Sequence, residues 1–158
     1  MTEYLPHLVP GTGGLIVGAF IFVGSWAVAY LRTPYPSITF EPRGPGSFEP
    51  RLANYLRASE TLIGLASGSV VLLAGSSIVR SGGHLPWFYA SPLVLLGVSV
   101  IYSVGFIGFL IYFYEAFLHF PESYTRLRYS LVQAFGFSSL ICFSLAYVWL
   151  AFTLGNKS

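Results

Sequence analysis

Charged side chains are scarce in this chain of 158 residues. They make up 9% of it, aspartate is absent, and hydrophobic residues reach 54%. Because a typical soluble domain carries roughly 25% charged residues, a chain this poor in charge could not cover a surface that faces water. A soluble enzyme and a disordered segment are therefore excluded, and a net charge of +2 is too small to indicate a nucleic-acid partner. We expect an integral membrane protein surrounded by the lipid bilayer.

Cysteine and lysine occur once each, which excludes several kinds of site. Cys142 has no second cysteine, so the chain can form neither an internal disulfide nor a thiolate metal cage. Lys157 lies outside every apolar stretch, which excludes a Schiff-base chromophore. His7, His84 and His119 lack the spacing of metal ligands and are not paired within a span as a bis-histidine haem site requires. The sequence indicates no metal and no cofactor.

Four long stretches contain no Asp, Glu, Lys or Arg, or almost none. A helix needs about 20 apolar residues to cross the hydrocarbon core of a bilayer, and these stretches do not alternate as the strands of a membrane barrel do. The sequence therefore predicts an all-α integral membrane protein of one domain, with four transmembrane helices in an antiparallel bundle. The predicted spans are residues 11–31, 59–79, 88–118 and 127–154.

The arginines predict the orientation of the bundle. The first connection, residues 32–58, contains four arginines, and the third, residues 119–127, contains Arg126 and is followed at once by Arg128. The second connection has only Arg80, and the C-terminal segment only Lys157. Because cytoplasmic loops carry an excess of Lys and Arg, we expect the first and third connections to be cytoplasmic and both termini to lie outside.

The first connection changes character along its length. Its first half is rich in proline and glycine and cannot be helical. From Ser47 onward Pro50 suits a first helical turn, and Leu52, Tyr55 and Leu56 repeat at helical spacing. We therefore predict a short interfacial helix that starts at about residue 47 and runs into the second span.

Small residues recur at four-residue spacing in the spans, where they allow helices to approach closely in lipid. Packing within one bundle, a seam between subunits and a serine-lined pore along the second span are all open interpretations. The number of such seams leads us to expect an oligomer. The predicted packing residues are Gly14, Gly18, Gly64, Gly68, Gly105, Gly108, Ala134 and Ser138.

The third span carries the most unusual set of polar residues. Tyr112, Glu115 and His119 continue the spacing of Gly105 and Gly108, so all five share one helical face. Glu115 is the only carboxylate far from a predicted loop. Because ionisable groups in a membrane are costly and face a partner or a cavity, this face is a candidate proton, ion or ligand site.

The fourth and second spans offer partners for that face. In a tight hairpin Arg126, Tyr129 and Gln133 would come level with the end of the third span, and an ion pair between Arg126 and Glu115 could simply lock the hairpin. A functional polar pocket is the alternative. Arg57 and Glu60 of the second span are expected at the same end of the bundle.

Two short strings resemble a known family. Phe48-Glu49 followed by Ser59-Glu60, and the string 127–131 (LRYSL), are similar to the starts of the second and fourth spans of the membrane proteins of eicosanoid and glutathione metabolism (MAPEG). The resemblance implies a trimer with a glutathione pocket at the cytoplasmic end. The family's Arg, Asn and Glu at i, i+4 and i+7 are here Ala53, Arg57 and Glu60, so the match is partial.

Three functions are consistent with these features. The leading hypothesis is an oligomeric channel or transport protein whose titratable cluster lies at the cytoplasmic end of the bundle. The first alternative is a membrane enzyme similar to the glutathione-dependent MAPEG proteins. The second alternative is a non-catalytic subunit or scaffold of a larger membrane complex.

Overall fold

The computed structural model describes residues 11–33, 48–75, 87–119 and 125–155, and each of these segments is built around one helix. The helices are α1 (Thr12–Arg32), α2 (Glu49–Ala74), α3 (Trp87–His119) and α4 (Arg126–Gly155). Each is long and apolar enough to cross a membrane. This confirms the prediction of an all-helical chain with four potential membrane spans.

The second helix starts ten residues before the predicted second span. No glycine or proline interrupts residues 51–63, and Pro50 lies in the first turn, where its missing N–H costs nothing. The expected interfacial segment and the span therefore form a single helix from Glu49. The predicted cap Ser47 and residues 76–79 of the predicted span lie outside the described residues.

The third and fourth helices form the largest helix–helix interface in the described part of the chain. The α1 helix packs against both of them, whereas α2 packs mainly on α3 and touches α4 at few places. Among the described residues α1 and α2 make no contact. The core therefore centres on α3 and α4, and α1 and α2 pack separately against this pair.

Rings and glycines interlock α3 with α4. A Cβ atom on Gly105 would lie 2.8 Å from the ring of Phe135, and one on Gly136 would lie 3.1 Å from the ring of Phe106. Each helix thus places a phenylalanine over a glycine of the other. The predicted packing residues Ala134 and Ser138 of α4 are completely buried, and so are Cys142 and Ala146, which continue their four-residue spacing.

Hydroxyl groups add hydrogen bonds across these interfaces. Ser99 Oγ donates to the carbonyl oxygen of Ser139 at 2.9 Å, and Ser103 Oγ lies 2.5 Å from Ser139 Oγ. The hydroxyl of Tyr102 donates to the carbonyl oxygen of Gly18 at 3.1 Å. These bonds join α3 to α4 and to α1, and hydrogen bonds of this kind assist helix association where water is excluded.

The first helix approaches the backbone of α3 through Gly14 and Gly18. A Cβ on Gly14 would lie 2.5 Å from the carbonyl oxygen of Ser91, and one on Gly18 would lie 2.9 Å from Val98 Cγ1. At the start of α1, Gly11 has a φ of 106°, a left-handed conformation that a side chain would strain. Close approach along this seam therefore requires glycine.

We predict that Gly14→Ala lowers the midpoint of thermal unfolding of the protein in detergent. The added methyl group clashes with a backbone oxygen that cannot move without shifting α3, and overpacking of this kind costs about 1–3 kcal/mol. Gly24→Ala is the matched control, because a Cβ there meets nothing within 4 Å. Equal midpoints for the two variants would contradict the close contact between α1 and α3.

Candidate functional site

Apart from Glu60, all the charged side chains of the described residues lie in the C-terminal parts of α1 and α3 or the N-terminal parts of α2 and α4. These parts meet at one end of the bundle, which we call the charged end. There Tyr114 donates to Glu49 Oε1 at 3.4 Å, and the guanidinium of Arg128 lies 5.7 Å from the centroid of the Phe113 ring.

Arg126 joins α4 to the last turn of α1. Its Nε donates to the carbonyl oxygen of Tyr30 at 2.7 Å, its Nη2 donates to the same oxygen, and its guanidinium lies 4.3 Å from the centroid of the Tyr30 ring. Thr33 satisfies the preceding carbonyl, because its Oγ1 donates to Ala29 at 2.6 Å. The last carbonyls of a helix lack intrahelical partners and carry partial negative charge, so Arg126 caps α1.

The predicted face of α3 points away from the bundle. Tyr112, Glu115 and His119 are all exposed, and a Cβ on Gly108 would meet nothing within 4 Å. Gly105 alone packs against another helix, at Phe135. Within the described residues Glu115 and Arg126 form no ion pair, because the guanidinium is bound to α1 instead. That structural interpretation of the pair is therefore wrong for the isolated chain.

Tyr129 and Gln133 are the two predicted site residues that contact each other. Gln133 Nε2 donates to the Tyr129 hydroxyl at 2.7 Å, one turn apart on α4. Both side chains are partly buried. They line a cleft toward α2 and also a depression between α1 and α4, whose other wall includes Ser25 and Arg32.

The side of α2 that faces away from this cleft is uncovered. We call this side the outer face of α2 and define it by Arg57, Glu60, Gly64, Ser67 and Gly68, all of which are exposed. A Cβ on either glycine would meet nothing within 4 Å. The two predicted glycines of the second span therefore pack against nothing in the described residues.

Glu60 lies deeper in the bundle than the sequence suggested. The rings of Tyr55 and Phe106 contact each other with centroids 5.9 Å apart. Glu60 lies five residues farther from the charged end, about 7.5 Å along the helix at 1.5 Å per residue. It is therefore level with residues near Ile101, close to the middle of α3.

A cleft of about 320 Å³ lies between α2 and α4, with α3 as its floor. We call it the α2–α4 cleft. Arg51, Tyr55 and Ser59 line it from α2, at four-residue spacing that places them on one helical face. This spacing was visible in the sequence, but only the packing of α2 on α3 indicates that the face borders a cleft rather than solvent or lipid.

No protein-family model, no curated protein and no solved structure matches the chain. Among the described residues no group of three His, Cys, Asp or Glu side chains lies close enough together to hold a metal ion. The resemblance to the MAPEG family stays a prediction. Proposals about function therefore rest on the outer face of α2 and on the α2–α4 cleft.

We predict that Arg126→Gln lowers the thermal unfolding midpoint in detergent, because the carbonyl oxygen of Tyr30 loses its charged donor and that of Leu31 loses a longer contact of 3.5 Å. Hydrogen bonds to charged groups contribute about 1.5–3 kcal/mol. Arg126→Lys should restore only part of the loss, because an ammonium group cannot stack on Tyr30 while donating through a planar fork. Arg128→Gln is the control at the same end of α4. A control that is as destabilised as Arg126→Gln would argue against capping of α1.

Proposed function

We propose that this chain forms a homo-oligomeric transport protein in the membrane, in which the outer face of α2 lines a polar path between copies. The observation that carries the proposal is the exposed carboxylate of Glu60 near the middle of the bundle. The substrate class that fits a carboxylate in such a path is a proton or a small cation, since carboxylate rings select cations in channels.

An antiparallel bundle across the membrane is part of the proposal. The α3–α4 contacts Gly105–Phe135 and Ser99–Ser139 support it, because the residue number falls from 105 to 99 along α3 as it rises from 135 to 139 along α4. The arginines of the charged end favour the cytoplasmic side, with both termini outside.

Contact of the outer face of α2 with lipid would be costly. A charged residue at the centre of a membrane helix costs about 2.5–3.5 kcal/mol on insertion scales, and Arg57 and Glu60 are both exposed. An i, i+3 contact between them recovers only a few tenths of a kcal/mol at an exposed site. Water or another protein surface is therefore the favourable neighbour.

The composition of α2 also argues against contact of its outer face with lipid. It is the least apolar of the four candidate spans, yet it has the smallest share of buried residues in the described chain. A helix surrounded by lipid on most sides should instead be the most apolar. Gly64, Ser67 and Gly68 continue the outer face with small side chains, which allow a neighbouring helix to approach closely.

A second copy of the chain is the partner with the best fit. The outer face carries one arginine and one glutamate a turn apart, so it is complementary in charge to itself. Copies arranged around an axis could place Arg57 of one beside Glu60 of the next, and closed rotational symmetry is the usual form of soluble homo-oligomers. The Glu60 carboxylate oxygen that does not bind Arg57 could then contact water and a passing cation.

We predict that Glu60→Gln lowers proton or potassium flux through the protein reconstituted in liposomes by at least tenfold, because the variant keeps the shape of the side chain and loses its charge. Glu115→Gln is the matched control, since Glu115 is exposed one turn from the end of α3. Its flux should stay within twofold of the wild type.

The reverse pattern, with flux lost in Glu115→Gln and kept in Glu60→Gln, would place the titrating group on α3 and contradict the path along α2. Wild-type liposomes with no flux of either ion would contradict transport itself. Co-purification of a foreign chain in fixed proportion would favour the scaffold hypothesis, in which that chain covers the outer face of α2.

A further inference from the structure

Three helices line the α2–α4 cleft. The α3 helix forms its floor through Ser103, Phe106 and Leu110. Because α2 and α4 touch at few places, the space between them opens sideways, where Phe137 is 52% exposed. Farther from the charged end than any residue that lines the cleft, the hydroxyls of Ser69 and Tyr147 hydrogen-bond to each other and join α2 to α4.

The polarity of the cleft changes along its length. The long polar side chains Arg51, Tyr55, Tyr129 and Gln133 line the half near the charged end. The half near the middle of the bundle is lined by Leu62, Phe137 and Leu140 and by three small serines, of which Ser103 and Ser139 hydrogen-bond to each other and Ser59 is the third. A molecule that fits both halves has a polar group at one end and an apolar body. Sites for small molecules commonly have volumes of about 300–1,000 Å³, and this one is near the lower limit.

Arg51 is the group in the cleft that can bind a negative charge. Its side chain is exposed, and among the described residues it forms no hydrogen bond or ion pair. The nearby carboxylate of Glu49 instead accepts a hydrogen bond from Tyr114. A planar guanidinium recognises carboxylate and phosphate groups through paired hydrogen bonds.

We propose that the α2–α4 cleft binds an anionic membrane lipid, with its headgroup at Arg51 and one acyl chain along Phe106 and Leu62. The cleft volume of about 320 Å³ favours a lipid chain over a helix of a partner protein, because a helix with its side chains is about 10–12 Å across. The site lies on the side of α2 opposite Glu60 and does not depend on the proposed transport function.

The buried residue Ser59 offers a way to test the apolar half of the site. It is 5% exposed and lines the cleft one turn deeper than Tyr55. A leucine at this position would extend into the space that the acyl chain occupies. Arg51→Gln, by contrast, removes the positive charge that would bind the lipid headgroup and leaves the apolar half of the cleft unchanged.

The test compares two lipids that share acyl chains and differ in headgroup charge. Protein reconstituted in vesicles of equal parts phosphatidylglycerol and phosphatidylcholine is extracted gently, and the retained lipids are counted by native mass spectrometry. We expect phosphatidylglycerol to be enriched at least fivefold on the wild type. Arg51→Gln should bring the ratio close to one, Ser59→Leu should remove most retained lipid of both kinds, and Arg128→Gln should behave as the wild type.

Equal retention of the two lipids by the wild type, or no retained lipid, would overturn the proposal. So would an Arg128→Gln variant that loses phosphatidylglycerol as completely as Arg51→Gln, because the charge of the whole end would then explain the enrichment. Circular dichroism and thermal unfolding of Ser59→Leu establish that it is folded. If it is not, the Arg51→Gln and Arg128→Gln pair decides the outcome.

Discussion

The interlocked contact between α3 and α4 is the interaction on which the positions of the other helices depend. In lipid, burial of apolar surface gives little drive for helices to associate, so close packing and interhelical hydrogen bonds must supply it. Phe135 over Gly105 and Phe106 over Gly136 supply the packing, and the bonds of Ser99 and Ser103 to Ser139 supply the polar part. The α1 and α2 helices then attach to this pair and not to each other.

The two attached helices differ in how completely they are held. The α1 helix contacts both central helices, approaches the α3 backbone at Gly14 and is capped by Arg126 from α4. The α2 helix packs on α3 with little support from α4. This one-sided attachment has two consequences: a cleft opens between α2 and α4, and the opposite side of α2 is left with an arginine and a glutamate uncovered.

The helices were predictable because length, lack of charge and breaker residues are local properties of the sequence. The rotation of each helix was not. The α3 residues at the spacing of Glu115 share a face, as expected, but a hairpin argument gives only their level and not the direction in which they point. In the structure Arg126 contacts α1 and not Glu115. The depth of Glu60 was also hidden, since it depends on the register of Tyr55 against Phe106.

The central claim, that copies of the chain cover the outer face of α2, is tested most directly by disulfide cross-linking in membranes. With the buried Cys142 replaced by alanine, Ser67→Cys places a single thiol on this face, and Ile16→Cys places one on the exposed side of α1. The account predicts that mild oxidation links two copies through position 67 and not through position 16. Cross-linking through position 16 alone, or through neither position, would contradict it.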